Sequence, residues 1–168
     1  MRRLALVPFV LVIALGFALP AGASPLIETS PVSFTIPSGQ CSNLAAGTTL
    51  TGSGIEKSIT IERTDASGVT TLINATHAHG TATDQDGNVY VFDYSNEFRV
   101  SNTAADPDTF SGLMTDHFSN SGPGPAKLNN GFVANLTTDF STFFTFEPIS
   151  SHGDPLGFPD GEAHCDPL

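Results

Sequence analysis

Residues 69–100 fold two stretches of alternating side chains back on each other around Asp84-Gln85-Asp86-Gly87-Asn88. The dipeptide Asp86-Gly87 is a strong hairpin signal, because a type I′ turn needs positive φ at both central residues, which Asp tolerates and Gly prefers. With Asp86 and Gly87 at the tip, Gln85 is expected to face Asn88. Counting back then sets Thr83 opposite Tyr90, Thr81 opposite Phe92, His79 opposite Tyr94, His77 opposite Asn96 and Ala75 opposite Phe98. Cross-strand partners share a face. This register therefore gathers His77 and His79 with Tyr90, Phe92, Tyr94 and Asn96 on one bulky, amphipathic face, and leaves Ala78, Gly80, Ala82, Asp93 and Glu97 on the other. The bulky face is expected to turn inward.

No window beyond residue 23 repeats apolar residues at helical spacing for three turns, whereas alternation of period two recurs, as an antiparallel sheet requires. Expected strands cover residues 32–36, 50–63, the two arms of the hairpin, 109–118, 128–140 and 142–149. In the second, Ile55, Ile59 and Ile61 form an apolar face, with Gly52 and Gly54 allowing a bend. In the fifth, Phe110, Met114 and Phe118 share a face that His117 leaves and Asp116 joins. An eighth strand arises if residues 40–46 pair with a neighbour. Long sequential antiparallel strands are most simply closed into a single-domain up-and-down β-barrel, which removes exposed edges; a two-sheet sandwich is the alternative.

Residues 1–23 have the layout of a secretory signal: Arg2 and Arg3, an apolar run to Leu19, then Ala21 and Ala23. Residues 24–31 read as a flexible lead-in, 32–149 as the β-barrel domain and 150–168 as an irregular tail. Cys41 and Cys165 are the only cysteines. In an exported chain they are expected to form a disulfide that ties the tail back to the start of the domain. Without the leader, Lys57, Arg63, Arg99 and Lys127 stand against 17 acidic residues. So acidic a surface, with no basic cluster, disfavours nucleic acid and anionic membranes as partners. The expected product is a secreted, extracellular, soluble protein.

His77-Ala78-His79 places two imidazoles on one side of a strand, a spacing that β-sheet metal sites use, and makes His77 and His79 candidate ligands for a divalent metal. A complete site needs further ligands, for which His117, Asp116 and the tail histidines are candidates. With Tyr90, Tyr94 and Asn96, the same two histidines form the candidate binding site for a small amphipathic ligand, because polar tips beside Phe rings suit a ligand cavity. The bland alternative is that these tips satisfy one another. No catalytic residue stands out: Gly52-Ser53-Gly54 lacks the strand-turn-helix setting of a nucleophile elbow, and no glycine-rich loop precedes a helix. Asp84, Asp86 and Asn88 resemble half of a calcium loop but lack its closing Glu, and the tail acids Asp154, Asp160, Glu162 and Asp166 are a weak calcium set. The sequons at Asn74 and Asn135 matter only in a eukaryotic secretory pathway.

The run from Gly80 to Phe92, with Asp116-His117-Phe118, Gly131-Phe132 and His164-Cys165-Asp166-Pro167, resembles a group of small secreted all-β proteins of actinobacteria that carry no assigned activity. The resemblance implies export and an all-β fold, and it transfers no catalytic residue. The functional expectation is a non-enzymatic binding module for a small amphipathic ligand. A metal-assisted enzyme using His77 and His79, or a structural or interaction protein of the cell exterior, are the alternatives.

Overall fold

The computed structural model describes residues 24–154, 156–157 and 164–165; the expected signal, residues 1–23, and the tail acids Asp160, Glu162 and Asp166 lie outside them. Seven antiparallel strands follow one another in a single sheet: β1 (Leu26–Ile36), β2 (Leu50–Thr64), β3 (Thr70–Asp84), β4 (Val89–Thr103), β5 (Asp106–Ser121), β6 (Leu128–Thr138) and β7 (Phe144–His152). A two-residue pair, β8 (Leu156–Gly157) with β9 (His164–Cys165), stands apart. The described residues contain no helix, as the alternation required. Among them β1 and β7 are not paired, so the strand ladder is not closed into a barrel.

Three expected boundaries shift. β1 starts at Leu26, within the expected flexible lead-in, because an edge strand accommodates Pro31 with no ladder bond to lose on its open side. Residues 40–46 form turns rather than an eighth strand. Residues 150–152, expected in the tail, extend β7, whose pairing with β6 shifts register between Val133 and Ala134.

The hairpin register differs by one residue from the expectation. Ala82 pairs with Tyr90, Gly80 with Phe92, Ala78 with Tyr94 and Thr76 with Asn96, while His79 pairs with Asp93 and His77 with Ser95. The tip holds three residues, not two. The Asp84 carbonyl accepts from the Gly87 N–H at 3.1 Å, the Asp84 N–H donates to the Asn88 carbonyl at 3.2 Å, and Gly87 sits at φ 80°. This is a type I turn closed by a left-handed glycine. The Asp84 carboxylate selects it: Oδ1 accepts from the Asp86 and Asn88 N–H groups at 3.0 and 2.9 Å, and Oδ2 from the Asn88 amide and the Tyr90 hydroxyl, both at 2.8 Å. The β2–β3 loop repeats the device at Asp65-Ala66-Ser67-Gly68, with Gly68 at φ 85° and the Asp65 carboxylate accepting from Ser67 and Val69.

Even-numbered residues consequently share one face from β1 to β6. Phe34, Ile36, Leu50, Tyr90, Phe92, Phe118 and Leu128 are buried there, whereas Ile55, of the apolar odd face of β2, is 47 % exposed. The sheet curls around the even face. The Phe34 and Phe118 rings lie 5.7 Å apart, and Phe34 meets Phe92 edge-on at 5.0 Å. β1 and β5 are four strand spacings apart, roughly 19 Å in a flat sheet. Missing side chains permit the curl: a Cβ on Gly52 would lie 2.3 Å from the Phe34 ring, and one on Gly80 would lie 2.2 Å from the Ser53 carbonyl oxygen. Bulky rings of β4 thus lie over Ala78, Gly80 and Ala82 of β3. At the same end the β1–β2 connection reaches across the sheet, the Asn43 amide donating to Asn130 of β6 and the Ser42 N–H to Asp154 beyond β7.

Candidate functional site

The corrected register divides the five expected ligand-binding residues between the two faces of the sheet. His77 and His79 are exposed on the outer face, whereas Tyr90, Tyr94 and Asn96 belong to the inner one, because a one-residue slip reverses which side of β3 meets the aromatic side of β4. The expected five-residue constellation is therefore not assembled.

On the outer face the His77 and His79 rings lie 5.9 Å apart, and His77 Nε2 is 3.1 Å from Asp93 Oδ2, with both of these side chains about half exposed. They border a depression of about 340 Å³ whose walls include Ile55, Lys57, Ile59 and Thr115. Among the described residues, no three His, Cys, Asp or Glu side chains come together as a metal set.

Tyr90 is 1 % exposed, and its hydroxyl donates to Asp84 Oδ2 and accepts from the Ala126 N–H at 3.1 Å. It thereby ties the β3–β4 turn to the β5–β6 connection. Burial and the adjacent Asp84 push its phenol above the usual range. Both hydrogen-bonding roles of the hydroxyl are taken inside the fold, so Tyr90 serves the core.

Tyr94 and Asn96 meet a residue that strand parity alone pointed inward, Asp116 of β5. The Tyr94 hydroxyl and the Asn96 amide donate to Asp116 Oδ2 at 2.8 and 2.9 Å. Asp116 is 6 % exposed, and its other oxygen, Oδ1, is buried without a hydrogen-bond partner. Burial raises the carboxyl above its ordinary range, outweighing the donors Asn96 and Tyr94 and the nearby His117. The Tyr94 phenol is raised as well, by burial first and then by the charges of Asp116 and Glu56. Asp116 Oδ1 is thus a buried polar atom that the fold itself leaves unpaired, beside an Oδ2 that accepts two hydrogen bonds.

This node stands where the dry core ends. Tyr94 packs against the cluster of Phe34, Phe92 and Phe118. Beyond it the inner face of β2 and β3 is half-buried and polar, with the Asn74 amide donating to Ser58 and Thr60 and the Thr76 hydroxyl donating to Ser58. Further along, Phe98 and Phe110 lean on Phe140. The curled inner face thus sets a buried acid between two aromatic groups, Tyr94 with the core rings on one side and Phe98, Phe110 and Phe140 on the other. The sequence offered Asp116 only as a further metal ligand beside His77 and His79; its partners came into view once Asn96 was placed directly across the β4–β5 ladder. No family model, curated protein or solved structure matches this chain.

Proposed function

We propose that the chain is an exported, non-enzymatic binding module whose concave face takes a small amphipathic ligand at Tyr94, Asn96 and Asp116. The observation that carries this reading is Asp116 Oδ1, a buried polar atom with no partner. Leaving such an atom unpaired costs roughly 1–3 kcal/mol, which a polar group of a ligand would offset. His77 and His79, on the opposite face, have no part in this site. Closure of the curl into a barrel belongs to the same reading and is supported by the Phe34–Phe118 contact and by the Asn43 and Ser42 bonds to the far side of the sheet. So does a Cys41–Cys165 disulfide, in keeping with the 1 % exposure of Cys41 in that connection. Thiol titration of the denatured, unreduced chain should then find none.

Native mass spectrometry of the freshly purified chain tests the binding. The parent is expected to carry a low-mass organic adduct that Asp116→Leu loses while keeping its fold by circular dichroism. A parent without an adduct, or a folded Asp116→Leu chain with the same adduct, overturns the proposal. The metal-assisted alternative on His77 and His79 draws on their 5.9 Å approach and the Asp93 contact. Elemental analysis finding no zinc, copper, iron or manganese, and no stabilisation when these are added, would remove it.

A further inference from the structure

The outer face carries a second histidine pair, independent of the concave site: the register shift between β6 and β7 brings even-numbered His152 to the side of odd-numbered His117. His117 of β5 and His152 of β7 both pair with Gly131 of β6, one from each side. Two strand spacings would hold such side chains about 10 Å apart. Their ring centroids are nevertheless 5.8 Å apart, with the planes inclined by 38°. The glycine permits this: a Cβ at position 131 would lie 2.8 Å from His152 Cε1 and 3.3 Å from its Nε2, so the His152 ring leans into the gap where a side chain would stand.

His117 also has a partner outside the pair: its Nε2 lies 3.0 Å from Asn129 Oδ1, an acceptor to which an imidazole N–H can donate. An imidazole that donates one N–H to a neighbouring oxygen is the usual arrangement of a metal-ligating histidine. With metal–nitrogen bonds of about 2.0–2.1 Å, two imidazoles on one ion bring their centroids to about 5–6 Å. The observed separation falls in that interval.

We propose that His117 and His152, brought together over Gly131, bind one divalent transition-metal ion, with Cu2+ preferred over Ni2+ and Zn2+, water completing its coordination. The pair sits on two different strands joined through β6, so sheet formation presets most of its geometry.

The test uses the full chain, without a histidine tag, carrying His77→Ala and His79→Ala so that the other pair cannot contribute. Calorimetric titration with Cu2+ should give one site, and its electron paramagnetic resonance spectrum should show hyperfine coupling to imidazole nitrogen. Adding His152→Ala is expected to weaken Cu2+ binding by more than roughly tenfold, and Asn129→Ala by about tenfold. Zn2+ should bind more weakly than Cu2+ at the same site. His164→Ala should leave the affinity unchanged. Absence of a Cu2+ site in the folded parent, an unaltered affinity in His152→Ala, or loss of the site in His164→Ala would overturn the assignment.

Discussion

Substituting Gly52 and Gly80 by alanine separates two ways in which a curled sheet resists an added methyl group. In general Gly→Ala at a compatible backbone position gains about 0.4–1 kcal/mol by restricting the unfolded chain. At Gly52 the three atoms nearest the new Cβ all belong to the Phe34 ring, at 2.3, 2.5 and 3.0 Å. That ring is 2 % exposed and wedged against Phe92 and Phe118, so it cannot swing aside. Overpacking of this kind costs roughly 1–3 kcal/mol, leaving a net loss of about 1–2 kcal/mol, or about 2–8 °C in Tm for a chain of this size. Phe34→Leu should relieve it, so the double variant is expected to be about 1–2 kcal/mol more stable than the sum of the single changes. At Gly80 two of the three contacts are backbone, the Ser53 carbonyl oxygen at 2.2 Å and Gly54 Cα at 2.6 Å, with the Phe92 ring third at 2.7 Å. Here Phe92→Leu should rescue less than about 0.5 kcal/mol. Urea unfolding of the seven chains, parent included, measures both cycles. A Gly52→Ala chain as stable as its parent, or equal rescue in the two cycles, would refute the account of the curl.

Three further outcomes follow from the buried polar groups. Burial raises the Asp116 carboxyl, so the folded chain holds that proton more tightly than the unfolded one, and stability falls as pH rises from the ordinary carboxylate range through the raised value. Asp116→Asn should therefore match the parent near about pH 3 and exceed it near about pH 7 in urea midpoint; parallel curves would exclude the effect. Asp84 behaves oppositely: burial pulls its carboxyl up, but the bonds from Asn88, Tyr90 and the turn amides hold it below the usual range. Its contribution is present above the ordinary value and lost as pH falls through the folded one, so Asp84→Asn should lower the urea midpoint at neutral pH and approach the parent in acid. Tyr90→Phe removes the acceptor of the buried Ala126 N–H and should cost about 1–3 kcal/mol, with faster hydrogen exchange at Ala126.

The all-β class was legible because alternation within one strand needs no knowledge of its neighbours. The same holds for β5, where parity alone sets Phe110, Met114 and Phe118 apart from His117. Register was not legible, because two turn signals overlap in Asp84-Gln85-Asp86-Gly87: Asp-Gly favours a two-residue tip, and Asp-X-X-Gly a three-residue one. The side-chain cap from Asp84 decides for the longer loop, and Asp65-Ala66-Ser67-Gly68 carries the same spacing. The small residues Ala78, Gly80 and Ala82 were the missed signal, since the large rings of Tyr90, Phe92 and Tyr94 need such partners opposite them. The Ile face of β2 did not by itself say which side of the sheet is inner, because β-branched residues suit a strand's backbone on either side. The Asp116 site depended on a pairing between β4 and β5 that no local pattern specifies.

Each strand of the seven-stranded sheet pairs only with its neighbours along the chain. Such an order lets the sheet grow by successive zippering from any aspartate-capped turn, without waiting for distant segments to meet. The Phe34–Phe118 contact is different, because it requires β1 and β5 to be in place together. If it forms late in folding, truncating Phe34 is expected to speed unfolding far more than it slows folding. The aromatic cluster that bends the sheet would then govern how long the folded chain survives, while the aspartate-capped turns would govern how quickly it forms.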